Sequence, residues 1–409
     1  MGNKTIWFEP LPVSREILVL SNRWFILSVL FLARISMGYQ FQSIGSVSPS
    51  LIKEFAIEYA AIGTLIGLQS LPGLFLSLPS GILGNRFGDK RVVLWGLLLM
   101  TAGTILVGIS HSFSLAATGR LVSGIGTILL NVIMTKMVAD WFAGKEIITA
   151  MAIFVNSWPT GIGLALVTQP TINSALNWSA VFHISAATSA VGFILIAIFY
   201  HAPAETDQIP TGPKPKVQLS GRETYLVTLA AIIWALYNAA YIIVPTFGPP
   251  LLSSQGMVFV EAAVLVSLNN WLIIGSVPLG GWMAQKFRRP NTFMFLGFIL
   301  FGSAMLLLPF GSAIPLIISM GIIGGIPAGS IMAMPAAALR PESRAVGMGL
   351  FYTIYYGVYA VMPALAGLAL DFTKSTASPL FFGAGLLFIS IIVLIWFRSI
   401  QKPLQVKEQ

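Results

Sequence analysis

Two arginines lie inside long apolar stretches of the chain, where a charged side chain is costly. Arg34 comes ten residues after the start of the apolar run 24–47, and Arg120 seven residues after the start of the run 113–137. At the rise of an α-helix these offsets amount to about 15 Å and about 10 Å. A charge at such depth costs about 2.5–3.5 kcal/mol and usually serves function. Because guanidinium groups present forked donors to carboxylates and oxyanions, both arginines indicate anion binding.

No carboxylate is expected at the depth of these arginines. All 14 acidic residues fall in predicted loops, termini or helix ends, where Glu261 and Asp371 could gate or cap. Two unpaired guanidinium groups facing one cavity would therefore attract an anion. For Arg120 an alternative stays open, in which it bonds helix carbonyls or tunes a conformational change. For Arg34 substrate contact is the favoured interpretation.

Polar and aromatic side chains recur at helical spacing around these positions. Gln42 lies near the face of Arg34, and Asn131 shares the face of Arg120 at i+11. Asn156 and Trp158 are weaker candidates in the run 146–169. Two further stripes follow periods of three and four, at Trp234, Tyr237, Asn238 and Tyr241 and at Tyr352, Tyr355, Tyr356 and Tyr359. Since lipid-facing tyrosines favour the interfaces, we predict that these stripes line a cavity. The alternative is that their hydroxyls bond neighbouring helices.

The composition places these residues in a membrane protein. Of the 409 residues 56% are hydrophobic and only 9% charged, and the mean hydropathy is +0.85. A soluble enzyme would carry about a quarter of its residues as charges, so that class is excluded. The absence of cysteine excludes a disulfide framework and thiolate chemistry. We find no phosphate loop, metal cluster or nucleophile–base arrangement, so we expect neither a cofactor nor enzymatic activity.

The apolar runs number twelve, and each is long enough to cross a bilayer as a helix. They lie at about 24–47, 60–83, 92–110, 113–137, 146–169, 178–200, 224–248, 262–284, 292–310, 313–337, 345–370 and 379–397. With the N-terminus in the cytoplasm, 19 of the 23 Lys and Arg residues fall on the cytoplasmic side. This bias predicts cytoplasmic termini for a multi-pass protein of the plasma membrane, or of the inner membrane in a Gram-negative bacterium. The net charge of +9 reports this orientation, and no nucleic-acid partner is expected.

The chain divides into two similar halves. The segment Gly81–Phe87 closes the second run, and Gly281–Phe287 closes the eighth with Gly, an amide, a cation and Phe in matching places. We predict an all-α protein of two pseudo-symmetric six-helix bundles. Its parts are a cytoplasmic N-terminal segment at 1–23, bundles at 24–200 and 223–398, a Pro-rich cytoplasmic linker at 201–222 and a cytoplasmic tail at 399–409. Such repeats are typical of carriers that rock around a central site.

Three motifs resemble those of the major facilitator superfamily. The loop after the second run carries the first, with Gly81, Asn85, Arg86, Gly88, Asp89 and Arg91. Arg120, Gly124 and Gly126 resemble the motif of the fourth span, and Asn177, Trp178, Val181 and Phe182 the start of the sixth. The resemblance implies the major facilitator fold and a gating role for the six residues of the loop motif. Asn85 stands where the family usually has an Asp that latches the cytoplasmic ends, so that latch is weakened or Asp89 replaces it.

The presence of an arginine in both the first and the fourth span is similar to the pattern of the organic-anion carriers of the sialin type. The chain also has some similarity to cyanate/nitrate-type porters. We therefore predict a secondary active transporter that moves a small organic anion by rocker-switch alternating access. Its expected partners are the anion, the lipid bilayer and a counter-transported anion or proton, and we expect a monomer. A small inorganic anion remains an alternative, as do an exporter of neutral aromatic compounds and a non-transporting membrane protein on the same scaffold.

Overall fold

The computed structural model describes residues 15–142, 146–203 and 219–401. This part of the chain is helical without strands, and twelve helical stretches are long and apolar enough to cross a membrane. The predicted all-α membrane fold is thereby confirmed. The outer parts of the predicted N-terminal segment and tail, at 1–14 and 402–409, and most of the linker, at 204–218, lie outside the described residues.

The helices of the first half include a short one between the first two spans. They are α1 (Arg15–Ser46), α2 (Ser48–Phe55), α3 (Tyr59–Leu68), α4 (Gly73–Phe87), α5 (Asp89–Gly108), α6 (Phe113–Trp141), α7 (Ile147–Val155), α8 (Ser157–Ala175) and α9 (Trp178–Phe199). The second half consists of α10 (Gly221–Ser254), α11 (Phe259–Lys286), α12 (Pro290–Leu307), α13 (Ala313–Gly324), α14 (Ala328–Ala338), a 3₁₀ turn (Pro341–Ser343), α15 (Arg344–Thr373) and α16 (Ser378–Gln401).

Several helices continue beyond the predicted apolar runs. α1 begins at Arg15, inside the segment predicted at 1–23, and α16 reaches into the predicted tail. α10 begins at Gly221, because the Ser220 hydroxyl accepts a hydrogen bond from the Glu223 N–H and the Glu223 carboxylate accepts one from the Ser220 N–H. This reciprocal capping box satisfies backbone donors outside the apolar run, so hydropathy alone places the helix start too late.

Three spans are broken near mid-depth. The second span is α3 plus α4, the fifth α7 plus α8, and the tenth α13 plus α14. Pro72 and Pro327 stand at two of the breaks, where the missing N–H and fixed φ interrupt the helical hydrogen bonds. Residues beside the breaks, among them Gln69, Asn156 and Ala328, line the central cavity. Irregular backbone at membrane depth is tolerated where it borders such a cavity.

The two halves, α1–α9 and α10–α16, meet mainly where α3 packs on α15 and α8 on α11. Since the number of spans is even, residues 15 and 401 lie on one side of the molecule, which we call the terminal side; the other is the opposite side. Toward the opposite side α3 and α15 approach closely. A methyl carbon on Gly67 would lie 1.8 Å from the Ala360 carbonyl oxygen, so glycine is required for this contact.

Polar contacts also join the halves at the opposite side. The Asp371 carboxylate at the end of α15 accepts hydrogen bonds from the Tyr59 N–H at 3.0 Å and the Ala60 N–H at 2.7 Å. It thereby caps the N-terminus of α3 across the interface, where the helix dipole favours an anion. The Gln42 amide of α1 donates to the Pro245 carbonyl of α10 at 2.9 Å. These contacts close the opposite side.

Candidate functional site

A cavity of about 400 Å³ lies between the halves. Its volume falls within the range of small-molecule sites. Twelve of the fourteen residues predicted to contact substrate line it: Arg34, Asn131, Asn156, Trp158, Trp234, Tyr237, Asn238, Tyr241, Tyr352, Tyr355, Tyr356 and Tyr359. Thr135 and Met332 continue the lining toward the terminal side, and Thr135 is exposed. Because Thr135 lies six residues before the end of α6, or about 9 Å along the helix, the cavity extends toward that side.

Arg34 is the single cation among the described residues that line the cavity. Its Nη1 donates to the Phe154 carbonyl at 3.0 Å, to the Ser157 hydroxyl at 2.9 Å and, at 3.4 Å, to the Val155 carbonyl. Its Nη2 donates to Asn131 Oδ1 at 2.8 Å. The break between α7 and α8 supplies these backbone acceptors, because the regular helical hydrogen bonds end there and the last carbonyls of α7 can accept bonds from side chains. The guanidinium is thus fixed in position by neutral groups.

One nitrogen of this guanidinium has no hydrogen-bond partner among the described residues. Arg34 Nε is buried and has no hydrogen-bond partner in the described chain, and only Asn131 engages Nη2. Nε and Nη2 together form the side-on fork that binds a carboxylate through two parallel hydrogen bonds. The ion pairs of the described residues do not involve Arg34. The site therefore holds an uncompensated positive charge with an incompletely used donor fork.

Asn131 connects this charge to the other half. While its Oδ1 accepts from Arg34, its Nδ2 donates to the Tyr356 hydroxyl at 3.0 Å. The Tyr356 ring crosses from α15 to reach it and packs on Gly73, where a methyl carbon would lie 2.3 Å from the ring. Arg34, Asn131 and Tyr356 thus form a continuous hydrogen-bonded chain from α1 through α6 to α15.

The remaining walls are largely aromatic. On α15 the Tyr355 and Tyr359 rings stack with centroids 5.4 Å apart, and on α10 Trp234 stacks on Tyr237 at 5.7 Å. Phe41 forms the boundary toward the opposite side, stacked on Tyr359 of the other half at 6.2 Å. The first half therefore contributes the cationic donor and the second half contributes most of the rings.

Arg120 lies elsewhere. It is buried and does not line the cavity; its Nε donates to the Leu65 carbonyl at 2.9 Å and its Nη1 to the Gln40 carbonyl at 3.1 Å. A longer contact of 3.5 Å reaches the Phe41 carbonyl. These bonds connect α6 to α3 and α1, as in the structural alternative for this residue. Gln42 is also outside the lining, because its amide bonds α10.

The six predicted gating residues lie at the terminal side around the end of α4. Asn85, Arg86, Gly88 and Arg91 are exposed, and no atom lies within 4 Å of a methyl carbon built on Gly81. Gly88 has a φ of +86°, which ends α4 and starts the turn into α5. Asp89 accepts a hydrogen bond from Lys136 of α6 at 2.5 Å, within the same half. In this state Asp89 therefore joins α5 to α6, not one half to the other.

Sequence reasoning missed several residues of the site. Ser157 and Phe154 hold Arg34, the latter also with its ring 4.5 Å from the guanidinium carbon. Gln69 lines the cavity and donates to the Thr127 hydroxyl at 3.1 Å. An amide just before Pro72 in an apolar run was the signal that could have identified Gln69. The described residues contain no group of three or more His, Cys, Asp and Glu side chains that could hold a metal ion.

Comparison with known proteins agrees with this architecture. The Major Facilitator Superfamily profile matches residues 30–363 and 229–409. The methylenomycin A resistance protein of Streptomyces coelicolor is 28% identical over 245 residues, which cover 57% of this chain and 47% of that protein. The probable galactarate/D-glucarate transporter GarP of Escherichia coli is 25% identical over 185 residues, or 44% of this chain and 41% of GarP. The matches thus span less than half the length of either relative.

A solved structure shows the same fold. The bacterial homologue of the human lysosomal transporter Spinster, in its inward-facing and unoccupied conformation, superposes with a TM-score of 0.68 at 16% identity. The superposition covers 93% of this chain and 96% of that one. Twelve spans in two halves, a central cavity between them and a profile match over most of its length establish that the chain belongs to the Major Facilitator Superfamily, a family of membrane transporters.

Proposed function

We propose that the protein is a secondary active transporter of a small organic anion, with a carboxylate or similar oxyanion bound at Arg34. The observation that carries this proposal is the fixed guanidinium at the cavity wall, with its Nε unpartnered and no ion pair among the described residues. A buried donor without an acceptor costs about 1–3 kcal/mol, so a ligand that supplies the acceptor is favoured.

The charge balance of the cavity supports an anion. The described lining contains Arg34 but no Asp, Glu or Lys. A lone positive charge at mid-depth is costly, and a carboxylate would neutralise it. To engage both Nε and Nη2, the carboxylate would share or replace the Asn131 oxygen. Substrate binding would then disturb the bond from Asn131 to Tyr356, which joins the halves. Arg120 has a structural place in this proposal, because its donors already have acceptors within the fold.

Alternating access would follow from rocking of the two halves around this site. Contacts across α3 and α15 close the opposite side, and the cavity extends toward the terminal side. The positive-inside bias, with 19 of 23 cations on the side of the termini, supports a cytoplasmic location for both termini. On that assignment the structure corresponds to an inward-facing state.

The lining also bears on the source of energy. Carboxylate side chains are the usual membrane proton carriers, and the described lining has none. We therefore favour exchange against a second anion or electrogenic facilitation, with a proton carried, if at all, by the substrate. The similarity to GarP, which is named a probable galactarate/D-glucarate transporter, agrees with an anionic substrate.

Flux measurements test the proposal. The purified protein would be reconstituted into liposomes and assayed for uptake of labelled carboxylates and oxyanions. We expect Arg34→Gln to abolish uptake and Arg34→Lys to reduce it at least about tenfold, because a lysine cannot form the fork. Arg398→Gln is the matched control, since this substitution removes the same charge from α16 at a position away from the cavity. Equal transport by Arg34→Gln and the parent would refute the anion site.

A second candidate function is export of neutral aromatic compounds. It rests on the aromatic walls and on the similarity to the methylenomycin A resistance protein. This function predicts that uncharged aromatic compounds raise the melting temperature of the detergent-solubilised protein and that carboxylates do not. A ligand-stabilisation screen of anions against neutral compounds of the same size separates the two functions.

A further inference from the structure

Three tyrosine hydroxyls of α15 border the cavity without a protein partner. The Tyr237 hydroxyl is used by the fold, because it donates to the Gly324 carbonyl at 2.6 Å. Across the described chain, by contrast, no hydrogen bond engages the hydroxyls of Tyr352, Tyr355 or Tyr359, although all three residues line the cavity. They recur at i, i+3 and i+7 and therefore form one polar strip on the wall that faces the first half.

These hydroxyls remain accessible. Among the described residues, Arg34 Nε is a fully buried polar atom without a partner. The three hydroxyl oxygens also lack a partner in this part of the chain, but they are not fully buried. A molecule in the cavity can therefore reach them. A phenol both donates and accepts a hydrogen bond, so its complement is a neutral hydroxyl, carbonyl or ring nitrogen. The strip offers no positive charge to offset the desolvation of a second carboxylate.

The strip lies a short distance from the anion fork. Asn131 bonds both Arg34 and Tyr356, so Tyr356 marks the level of the guanidinium on α15. Tyr355 is adjacent in the chain with its ring 4.7 Å from that of Tyr356, and Tyr359 lies three residues, or about 4.5 Å, further along the helix. Because the Tyr355 and Tyr359 rings are nearly parallel, at 19°, they present a flat wall between the two polar ends.

We infer that the substrate is a monoanion with two polar ends. Its carboxylate binds the guanidinium of Arg34, a flat or ring-shaped body lies along the stacked rings, and a neutral hydroxyl or carbonyl at the far end bonds the hydroxyls of Tyr355 and Tyr359. This inference rests on the proposed function and narrows its substrate class. A dicarboxylate of similar length binds weakly, because its second charge meets only neutral phenols.

Binding of four probes to the purified protein, measured by calorimetry, tests this inference. The probes are benzoate, 4-hydroxybenzoate, terephthalate and 4-hydroxybenzyl alcohol, which differ in one group at a time. We expect 4-hydroxybenzoate to bind about tenfold more tightly than benzoate, the effect of one hydrogen bond. Terephthalate and the alcohol should both bind more weakly than benzoate. Equal affinity of the two monocarboxylates, or absence of binding by both, overturns the inference.

Tyrosine variants identify the groups responsible. Tyr355→Phe and Tyr359→Phe keep the rings and remove only the hydroxyls, so they should abolish the preference for 4-hydroxybenzoate over benzoate. Tyr225→Phe is the matched control, since Tyr225 is exposed on α10 and contacts Trp396 edge to face, away from the cavity. A preference that survives in both variants overturns the second polar end but leaves the anion site intact. Carboxylate binding that is indifferent to Arg34→Gln instead refutes the proposed function.

Discussion

Asn131 of the first half donates a 3.0 Å hydrogen bond to the Tyr356 hydroxyl of the second half, while its carbonyl oxygen accepts one from Arg34. A single amide thus contacts both the cation of the site and the interface that must open during transport. A ligand that competes for Arg34 Nη2 changes the position of this amide and weakens the contact between the halves. Differential contacts of this kind allow a ligand to shift a conformational equilibrium.

We expect Tyr356→Phe to destabilise the observed state relative to the state open on the opposite side. One lost membrane hydrogen bond is worth about 1 kcal/mol, or about a fivefold change in the ratio of the two states. Because the chain contains no cysteine, spin labels can be attached at Leu176→Cys and Phe310→Cys, two exposed positions in different halves. Pulsed dipolar spectroscopy should show a larger long-distance population. An unchanged distance distribution would contradict a role for this bond in holding the state.

Asp371→Asn should open the opposite side. The amide keeps one acceptor but loses the charge that the N-terminus of α3 favours, a loss of about 1 kcal/mol. The same pair of spin labels should report a shift toward longer distances. Glu58→Gln provides the control, because it breaks only an exposed ion pair with Lys374 at 3.3 Å, and such pairs contribute little. A comparable shift in both variants would assign the effect to surface charge and not to the helix cap.

Gly67→Ala should prevent closure of α3 on α15, since the added methyl carbon would lie 1.8 Å from the Ala360 carbonyl oxygen. Phe41, buried at the boundary of the cavity toward the opposite side, can be replaced by cysteine as a reporter. A membrane-impermeant maleimide should label this cysteine from the opposite side faster in the Gly67→Ala background. Gly275→Ala is the matched control, because nothing lies within 4 Å of its added carbon. Equal labelling rates in the two backgrounds would contradict the prediction.

Arg120→Gln should lower stability more than substrate affinity. The change removes the donor of the Leu65 carbonyl, and a buried unsatisfied group costs about 1–3 kcal/mol. The Gln40 carbonyl also loses its bond from Arg120 but keeps one from the Ser43 hydroxyl. We expect a melting temperature several degrees lower in detergent, together with near-parental carboxylate affinity in the folded fraction. Arg34→Gln should instead abolish carboxylate binding. If Arg120→Gln instead abolished binding with its melting temperature unchanged, Arg120 would be a substrate ligand and its structural placement would be wrong.

Much of the architecture was predictable because a bilayer restricts the possible folds. Backbone polar groups in hydrocarbon must be satisfied within the segment, so apolar runs of adequate length become helices. Helical periodicity likewise placed the α15 tyrosines on one face. The sequence also shows that no acidic residue lies between these tyrosines. These features depend only on local spacing and composition.

Tertiary packing decided which of two similar arginines borders the cavity. Arg34 and Arg120 both lie deep in spans that belong to the first half, and periodicity assigns each to a face without indicating what that face meets. Arg120 meets carbonyls of α1 and α3, whereas Arg34 meets a helix break beside the cavity. The outcome depends on the rotation of each helix and on breaks in its neighbours.

By itself the sequence determined the membrane class, the number of spans, the division into halves and the faces on which polar residues lie, because hydrophobicity and helical period act locally. Only the tertiary structure decided that Arg34 Nε has no partner among the described residues, that Asn131 reaches Tyr356 and that Asp371 caps α3. Each of these contacts joins residues distant in the chain. Their formation depends on packing between helices, which no local pattern encodes.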